Sequence, residues 1–560
     1  MVKMKTSDFK LFLLKHQTFF SFIVLNSVFI FLYLYKLELF PLIWIDEGYF
    51  SNPAYDLINN GLFRTYIYDG YLNLEDFTFW QPPFYLLLLA LSFKIFGISL
   101  LSGRIVSVIL AIIGINIFYC IAKRFLKKNS ALIITTLMGT FSYYFISARQ
   151  IRMDIAVSTF TLVSFFFLFF KYYDSDSSER KKISYLIFSG IFSALAILSH
   201  PNGLLSVLLN IICIFLYNIP LKSKFILSTK LIYQIKEKFK PVLVYCATIF
   251  FICFPYLIII LFNLEIFQTQ FSRQIGTSIT DIWSNLITEP ERYIVILRAY
   301  ANNPLFSSFP DLMKYFIIFF LIFIFAIGFL ILIFLTIKND NKNAKILLIY
   351  TIGILIFFAF IISNKTRQYL CIMSPYLFLL VVYSFSYRRL IFLKLDRFKY
   401  KSIQIIKKYI DQKLLPIYKF IWLIIILLIH VSNLFSFYLV NEDYNPYYIH
   451  TVLENHSISN QDLIIANPTF FIPLYDYNIV HYNVFYMRNK SGESLDALLL
   501  EYNPKYFLYD ARWRDYSGTG FDIEFLNYWE FFFTNNCTLL ELFNSTVSSL
   551  DPLYLYGLNS

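Results

Sequence analysis

Two adjacent carboxylates, Asp46 and Glu47, stand in "PLIWIDEGYF" a few residues beyond a membrane-grade apolar run. An ionisable residue at such a place is costly unless it has a partner or a task. Trp44, Tyr49 and Phe50 reduce the solvation of the pair, which suits an aspartate that takes a proton from a hydroxyl. Solvated loop acids that merely hold the segment outside a bilayer are the plainer alternative. Arg149, Arg152 and Asp154 in "SARQIRMDIA" read equally as arginines snorkelling at a helix end or as binders of a phosphate. Lys365, Arg367 and Tyr369 in "NKTRQYLCIMSPY" place cations on the same side, which suits an anionic ligand such as a lipid phosphate. His200 in "SHPNG" reads more readily as a capping residue than as a ligand, and Gln81 precedes a Pro-Pro pair that starts a helix. All these groups fall at one end of a set of apolar runs. Carboxylates and cations gathered near a bilayer surface suit a substrate with a lipid tail and a phosphate.

The elements that must position them are membrane spans. The chain has 560 residues, 58% hydrophobic and 21% aromatic, with only 15% charged. Apolar runs of about 17–24 residues recur, the pattern of a polytopic α-helical membrane protein. Spans are expected near 17–37, 104–122, 131–147, 155–171, 184–199, 203–218, 241–262, 314–337, 345–363, 368–386 and 416–438, eleven in all. Basic loops alternate with acidic or uncharged ones, so the N-terminus is expected inside and the tail outside. The run 82–100, "PPFYLLLLALSFKIFGISL", breaks this alternation if it crosses. It is short, opens on two prolines and carries Lys94, so it is expected to lie on the outer face as an interfacial or re-entrant helix. A long first external loop, 38–103, results, and 263–313 is a second. Four lysines precede the first apolar run as in a signal peptide, but no small-residue cleavage site follows, and an uncleaved first span is expected.

Residues 1–440 thus form a transmembrane domain. Residues 441–560 hold fifteen acidic residues against five basic ones and alternate strand-like runs ("DLIIANPTFF", "PKYFLYD") with a helical one ("SLDALLLEY"). They read as a small extracytoplasmic α/β domain. The net charge of +12 is the positive-inside bias of short loops, and not a nucleic-acid footprint. The six cysteines form no CxxC, and no His, Cys or carboxylate spacing supports a metal, so no cofactor is expected to be required, with a divalent metal left as an alternative that spacing does not support.

The ordered set "DEGYF", "PPFYLLLLALSFKIFG", "SGRIVSVIL", "AKRFL" and "SARQIRMD" resembles the dolichyl-phosphate-mannose protein mannosyltransferase and aminoarabinose transferase superfamily, GT-C fold enzymes that use polyprenyl phosphates. The resemblance covers residues 17–210 and, more faintly, 365–375. It implies an inverting transfer of a sugar from a polyprenyl-phosphate carrier to a hydroxyl of a lipid, glycan or protein, outside an integral membrane protein. Asp46 would be the catalytic base, with Glu47 beside it positioning donor or acceptor. Arg152 and Asp154 match the second external motif, and Lys365, Arg367 and Tyr369 would lie near the lipid phosphate. Two positions depart: Gln81 stands where relatives often carry His or Lys, and His200 where they frequently carry Lys. If phosphate is met there, Arg149 or Lys365 must supply the charge. A polysaccharide ligase or polymerase is a rival reading. A secondary transporter is another, but the chain shows no internal repeat and no midplane ionisable cluster.

Overall fold

The computed structural model describes residues 17–173, 177–217, 229–276, 287–290, 326–337, 341–360, 369–386, 445, 447–510, 523–543 and 553–559. Among them five helices are long and apolar enough to cross a bilayer: α4 (Leu100–Phe125), α7 (Asp154–Phe166) with its π-helical extension to Tyr173, α8 (Glu179–Ser199), the Phe239–Phe262 part of α10 (Thr229–Phe262), and α13 (Lys342–Phe360). Five apolar helices are shorter: Phe22–Leu34 within α1 (Gln17–Leu34), α3 (Pro83–Phe96), Pro201–Leu216 containing α9 (Leu204–Leu216), α12 (Ala326–Ile337), and Leu370–Tyr383 within α14 (Leu370–Ser386). The chain is an integral membrane protein with a bundle of such helices. The expected span 416–438 and the first half of 314–337 lie outside the described residues.

The expected span 131–147 is a broken pair of helices, α5 (Lys128–Gly139) and α6 (Ser142–Ala148), bent by 65°. The Tyr33 hydroxyl donates to the Gly139 carbonyl at 2.8 Å, and the Phe29 ring presses where a Cβ on Gly139 would sit, 2.4 Å away. A carbonyl drawn out of the helical ladder by a side chain is an ordinary cause of a kink. Helix α3 has 14 residues, about 21 Å at 1.5 Å per residue, and falls short of the ~30 Å apolar core.

Polar side chains join the bundle from within. Asn210 Nδ2 donates to Ser164 Oγ at 2.8 Å and to Tyr245 Oη at 2.9 Å, while Tyr350 donates to Asn210 Oδ1. Ser193 links to Ser206 and Tyr245 at 2.8 and 2.6 Å. Such bonds hold helices together where apolar contact gives no preference over lipid.

The segments expected on one side do pack together. Gln270, fully buried in α11 (Leu264–Gly276), donates to the carbonyls of Leu72 and Phe77 at 3.1 and 2.8 Å and accepts from the Phe79 N–H at 2.7 Å. One side chain thereby ties α11 to the first loop. The tail adds a five-stranded sheet, order β2-β1-β3-β5-β4, from β1 (Leu463–Ala466), β2 (Asn478–His481), β3 (Tyr506–Asp510), β4 (Cys537–Phe543) and β5 (Leu553–Leu558). β1 runs parallel to β2 and β3, and β5 is antiparallel to β3 and β4. The helix expected in "SLDALLLEY" is Leu495–Tyr502. The strand in "DLIIANPTFF" is shorter than its sequence suggests, because Asn467 Oδ1 accepts from Thr469 N at 3.0 Å and starts a 3-10 turn, Pro468–Phe470.

That turn lies against helix α2 (Ile45–Asn60), which carries the paired acids. A Cβ on Gly48 would stand 1.7 Å from the Pro468 carbonyl oxygen, so only glycine lets the two backbones meet. Around it Tyr55 packs on Phe471 at 5.7 Å, Tyr502 donates to the Asp69 carbonyl at 2.7 Å, and Leu100 N–H donates to Tyr447 Oη at 2.9 Å. Gly48→Ala is expected to separate turn from helix, because a backbone clash has no rotamer to relieve it. A destabilisation of about 1–3 kcal/mol should appear as a lower Tm of the detergent-solubilised protein. An unchanged Tm would show that the contact is not tight.

Candidate active site

Helix α2 begins with Ile45, so Asp46 and Glu47 fill its first turn, where the helix dipole favours negative charge. Neighbours in a helix point about 100° apart, and the two acids accordingly have different fates.

Glu47 turns inward. Its two oxygens accept from Nε and Nη2 of Arg104, each at 2.8 Å, and both side chains are fully buried. Glu47 also accepts from the Ile151 N–H at 2.9 Å and the Trp44 N–H at 3.0 Å. Arg104 Nη1 donates to the Leu37 carbonyl at 2.7 Å. One carboxylate thus ties α2, α4, the end of α1 and the 149–154 turn together. The expectation of Glu47 as a substrate-positioning residue is corrected: its oxygens are spent on protein.

Asp46 turns outward. Its Oδ2 accepts from Arg152 Nη1, and Arg152 Nε donates to Asp154 Oδ2 at 2.8 Å. Exposure falls along this chain, from 35% for the Asp46 side chain to 7% for Arg152 and 2% for Asp154. Burial disfavours the charge on Arg152, but Asp154 and Asp46 outweigh it and raise its pKa above the ordinary arginine value. The guanidinium is therefore a permanent cation between two carboxylates. The other Asp154 oxygen, Oδ1, is buried with no hydrogen-bond partner.

Arg149 stands elsewhere, contrary to its expected part in phosphate binding. It is fully buried and donates to the carbonyls of Leu32, Tyr33, Tyr35, Lys36 and Phe40, with its charge over the Phe40 and Phe145 rings. It caps the end of the first helix, whose last carbonyls lack partners of their own. No donor is left for a substrate.

His200 and Tyr369 do join the site, their ring centroids 6.0 Å apart, and the Tyr369 phenol acts on the charge of Arg152. His200 Nδ1 accepts from the Asn202 N–H at 3.1 Å. Burial holds its imidazole down at about 4 against the opposing pull of Asp154, so at neutral pH it carries no charge. It caps the turn, as the sequence suggested, and supplies no cation. Gln81 lies at the start of α3 with its Oε1 buried and unpartnered. Lys365 and Arg367 lie outside the described residues. Among the described residues no three of His, Cys, Asp and Glu gather as a metal-ligand set.

Sequence reasoning missed Arg104 and Gly48. Arg104 had a signal: an arginine inside the apolar run "SGRIVSVIL" requires an acidic partner, though spacing does not single out Glu47 among the acids. Gly48 had none, since only the docking of the tail makes a side chain there impossible.

The comparisons with known proteins fit this arrangement. The model of the dolichyl-phosphate-mannose-protein mannosyltransferase family matches residues 80–259, from Gln81 through the 149–154 turn and His200. The solved structure of ArnT from Cupriavidus metallidurans, bound to undecaprenyl phosphate, covers 95% of this chain and 97% of its own at TM-score 0.61 and 12% identity. The chain has the GT-C fold. The archaeal oligosaccharyltransferase AglB from Archaeoglobus fulgidus, in complex with an inhibitory peptide and a dolichol-phosphate, shares the GT-C fold at TM-score 0.55 and 13% identity. It covers 90% of this chain and 70% of that one. In sequence, an uncharacterised protein of Aquifex aeolicus (strain VF5) is 25% identical over 174 residues, 31% of this chain and 33% of that protein. Within this GT-C fold, Asp46 lies in the first turn of α2 and Arg152 and Asp154 at the turn that leads into α7.

Proposed function

We propose that the protein is a glycosyltransferase that moves a sugar from a polyprenyl-phosphate carrier to an acceptor hydroxyl on the extracytoplasmic face, with inversion. The observation that carries the reading is Asp46: a half-open carboxylate, one oxygen held by a buried Arg152–Asp154 pair, on a membrane GT-C fold. Its other oxygen, Oδ1, would accept the proton of the acceptor hydroxyl as that oxygen attacks the anomeric carbon. The bond from that carbon to the phosphate oxygen breaks, and the electron pair leaves with the lipid phosphate. Cations at Lys365 and Arg367, with the Tyr369 hydroxyl, would meet the charge that develops there. Arg152 fixes Asp46 in direction. A lipid, a glycan or a protein would each serve as acceptor, and the tail domain would stand over the site.

The test is transfer of a radiolabelled sugar from polyprenyl-phosphate-sugar donors in membranes holding the protein. Transfer that requires the protein and the phosphate-linked donor is expected, and its absence with every hexosyl and pentosyl donor would refute the reading. Because a guanidinium already bridges the two carboxylates, transfer is proposed to need no metal. Activity is expected to survive EDTA within about twofold, and its loss, restored by a divalent cation, would overturn that part.

A further inference from the structure

Four aromatic rings of the first loop pack together, and one of them, Tyr49, stands a helical turn from Asp46 in α2. Its ring meets Tyr68 at 5.5 Å and 88°, and Trp80 at 6.0 Å and 69°. Tyr71 closes the group, 6.3 Å from Tyr68 and 6.4 Å from Trp80. None of the four is fully buried, unlike the rings of the bundle core. From the tail, His481 packs against Tyr68 at 4.9 Å with the ring planes tilted by 47°, and backs the group.

Two polar atoms, one in this group and one next to it in sequence, are stranded. The Tyr49 hydroxyl and Gln81 Oε1, the latter on the residue directly after Trp80, are sealed from water and have no hydrogen-bond partner. A buried polar atom without a partner is expensive, and native structures keep few of them without a reason such as a ligand that completes them. Burial raises the pKa of Tyr49, with Tyr68 and Asp46 adding to it, so its phenol keeps its proton and can donate. Gln81 Oε1 can only accept.

We infer that Tyr49, Tyr68, Tyr71, Trp80 and Gln81 form the subsite for the acceptor, and that the acceptor is a saccharide. A sugar ring has an apolar C–H face that lies on aromatic rings and hydroxyls around its edge that both donate and accept. Flat rings with one stranded donor and one stranded acceptor match that chemistry. A lipid tail has no use for the polar pair, and a serine in a peptide has no ring to lie on the aromatics. Tyr49 stands one turn from Asp46, so a hydroxyl of the stacked ring falls beside the carboxylate proposed to deprotonate it. The inference rests on that proposed function, and names its acceptor.

The test is binding of the full-length protein in nanodiscs to an array of immobilised hexoses, pentoses, N-acetylhexosamines and uronic acids. Wild type and Asp46→Asn should retain the same glycans, Trp80→Ala should lose about tenfold or more in affinity, and Trp80→Phe should keep most of it. Gln81→Leu should weaken binding by about threefold to tenfold. In transfer assays Trp80→Ala should raise the KM for the acceptor about tenfold with kcat within about twofold. No glycan bound by wild type, equal binding by Trp80→Ala, or a KM change for the donor alone would each overturn the inference. Failure of the array while transfer still depends on Asp46 removes the subsite alone. Intact glycan binding with a fully active Asp46→Asn removes the proposed base alone.

Discussion

Asp46→Asn is expected to lower the rate of sugar transfer by about 10²- to 10⁴-fold, the usual contribution of a positioned general base. The fall should lie in kcat, because an amide keeps the shape of the carboxylate but cannot take the proton. The protein should still fold. The Asp46 side chain is 35% exposed, the amide oxygen can still accept from Arg152, and Arg152 keeps Asp154 as its buried partner. A thermal melt within a few degrees of wild type, together with the lost rate, separates chemistry from stability. Full activity in the variant would end the role of Asp46 as base, whatever the fold.

Glu47→Ala should do the reverse, striking the fold before the chemistry. It leaves the Arg104 guanidinium buried without its acid and strands the Ile151 and Trp44 N–H groups. Removing one partner of a buried ion pair costs about 3–5 kcal/mol, which is a large part of the stability of most proteins. Low yield in membranes and a strongly lowered Tm are expected. Replacing both members, as in Glu47→Leu with Arg104→Met, should recover part of the loss, because no uncompensated charge then remains. Recovery should be incomplete, since the two N–H groups stay unsatisfied. A Glu47→Ala protein as stable as wild type would show that the pair contributes nothing net. The adjacent acids would thus be told apart by a single pair of assays, rate for Asp46 and melting for Glu47.

Much of this protein is readable without coordinates, for identifiable reasons. Long apolar runs can satisfy their backbone in a membrane only as helices, so "LLSGRIVSVILAIIGINIFYC" declares α4 wherever it lies. The helix of residues 495–502 shows itself through Ser494, whose Oγ accepts from Ala497 N at 3.1 Å as an N-cap, and through its apolar spacing. Asp46, Arg152 and Asp154 stand out because charge at the end of an apolar run needs a reason, and the bundle does bring them together.

What sequence alone determined is therefore the kind of residue and the end of the bundle: a base-capable aspartate, arginines and a helix-start proline pair on one face of a helical membrane protein. Which charge does what was decided by tertiary structure. Asp46 and Glu47 are neighbours of almost equal chemistry, and Arg149 and Arg152 are three residues apart in one turn. What sets them apart includes distant partners, Arg104 for Glu47, 57 positions away, and the carbonyl of Leu32 for Arg149, 117 positions away. Local sequence carries no record of such distances. The helical turn of about 100° between neighbours forces the two acids apart, and packing then chooses which one is buried.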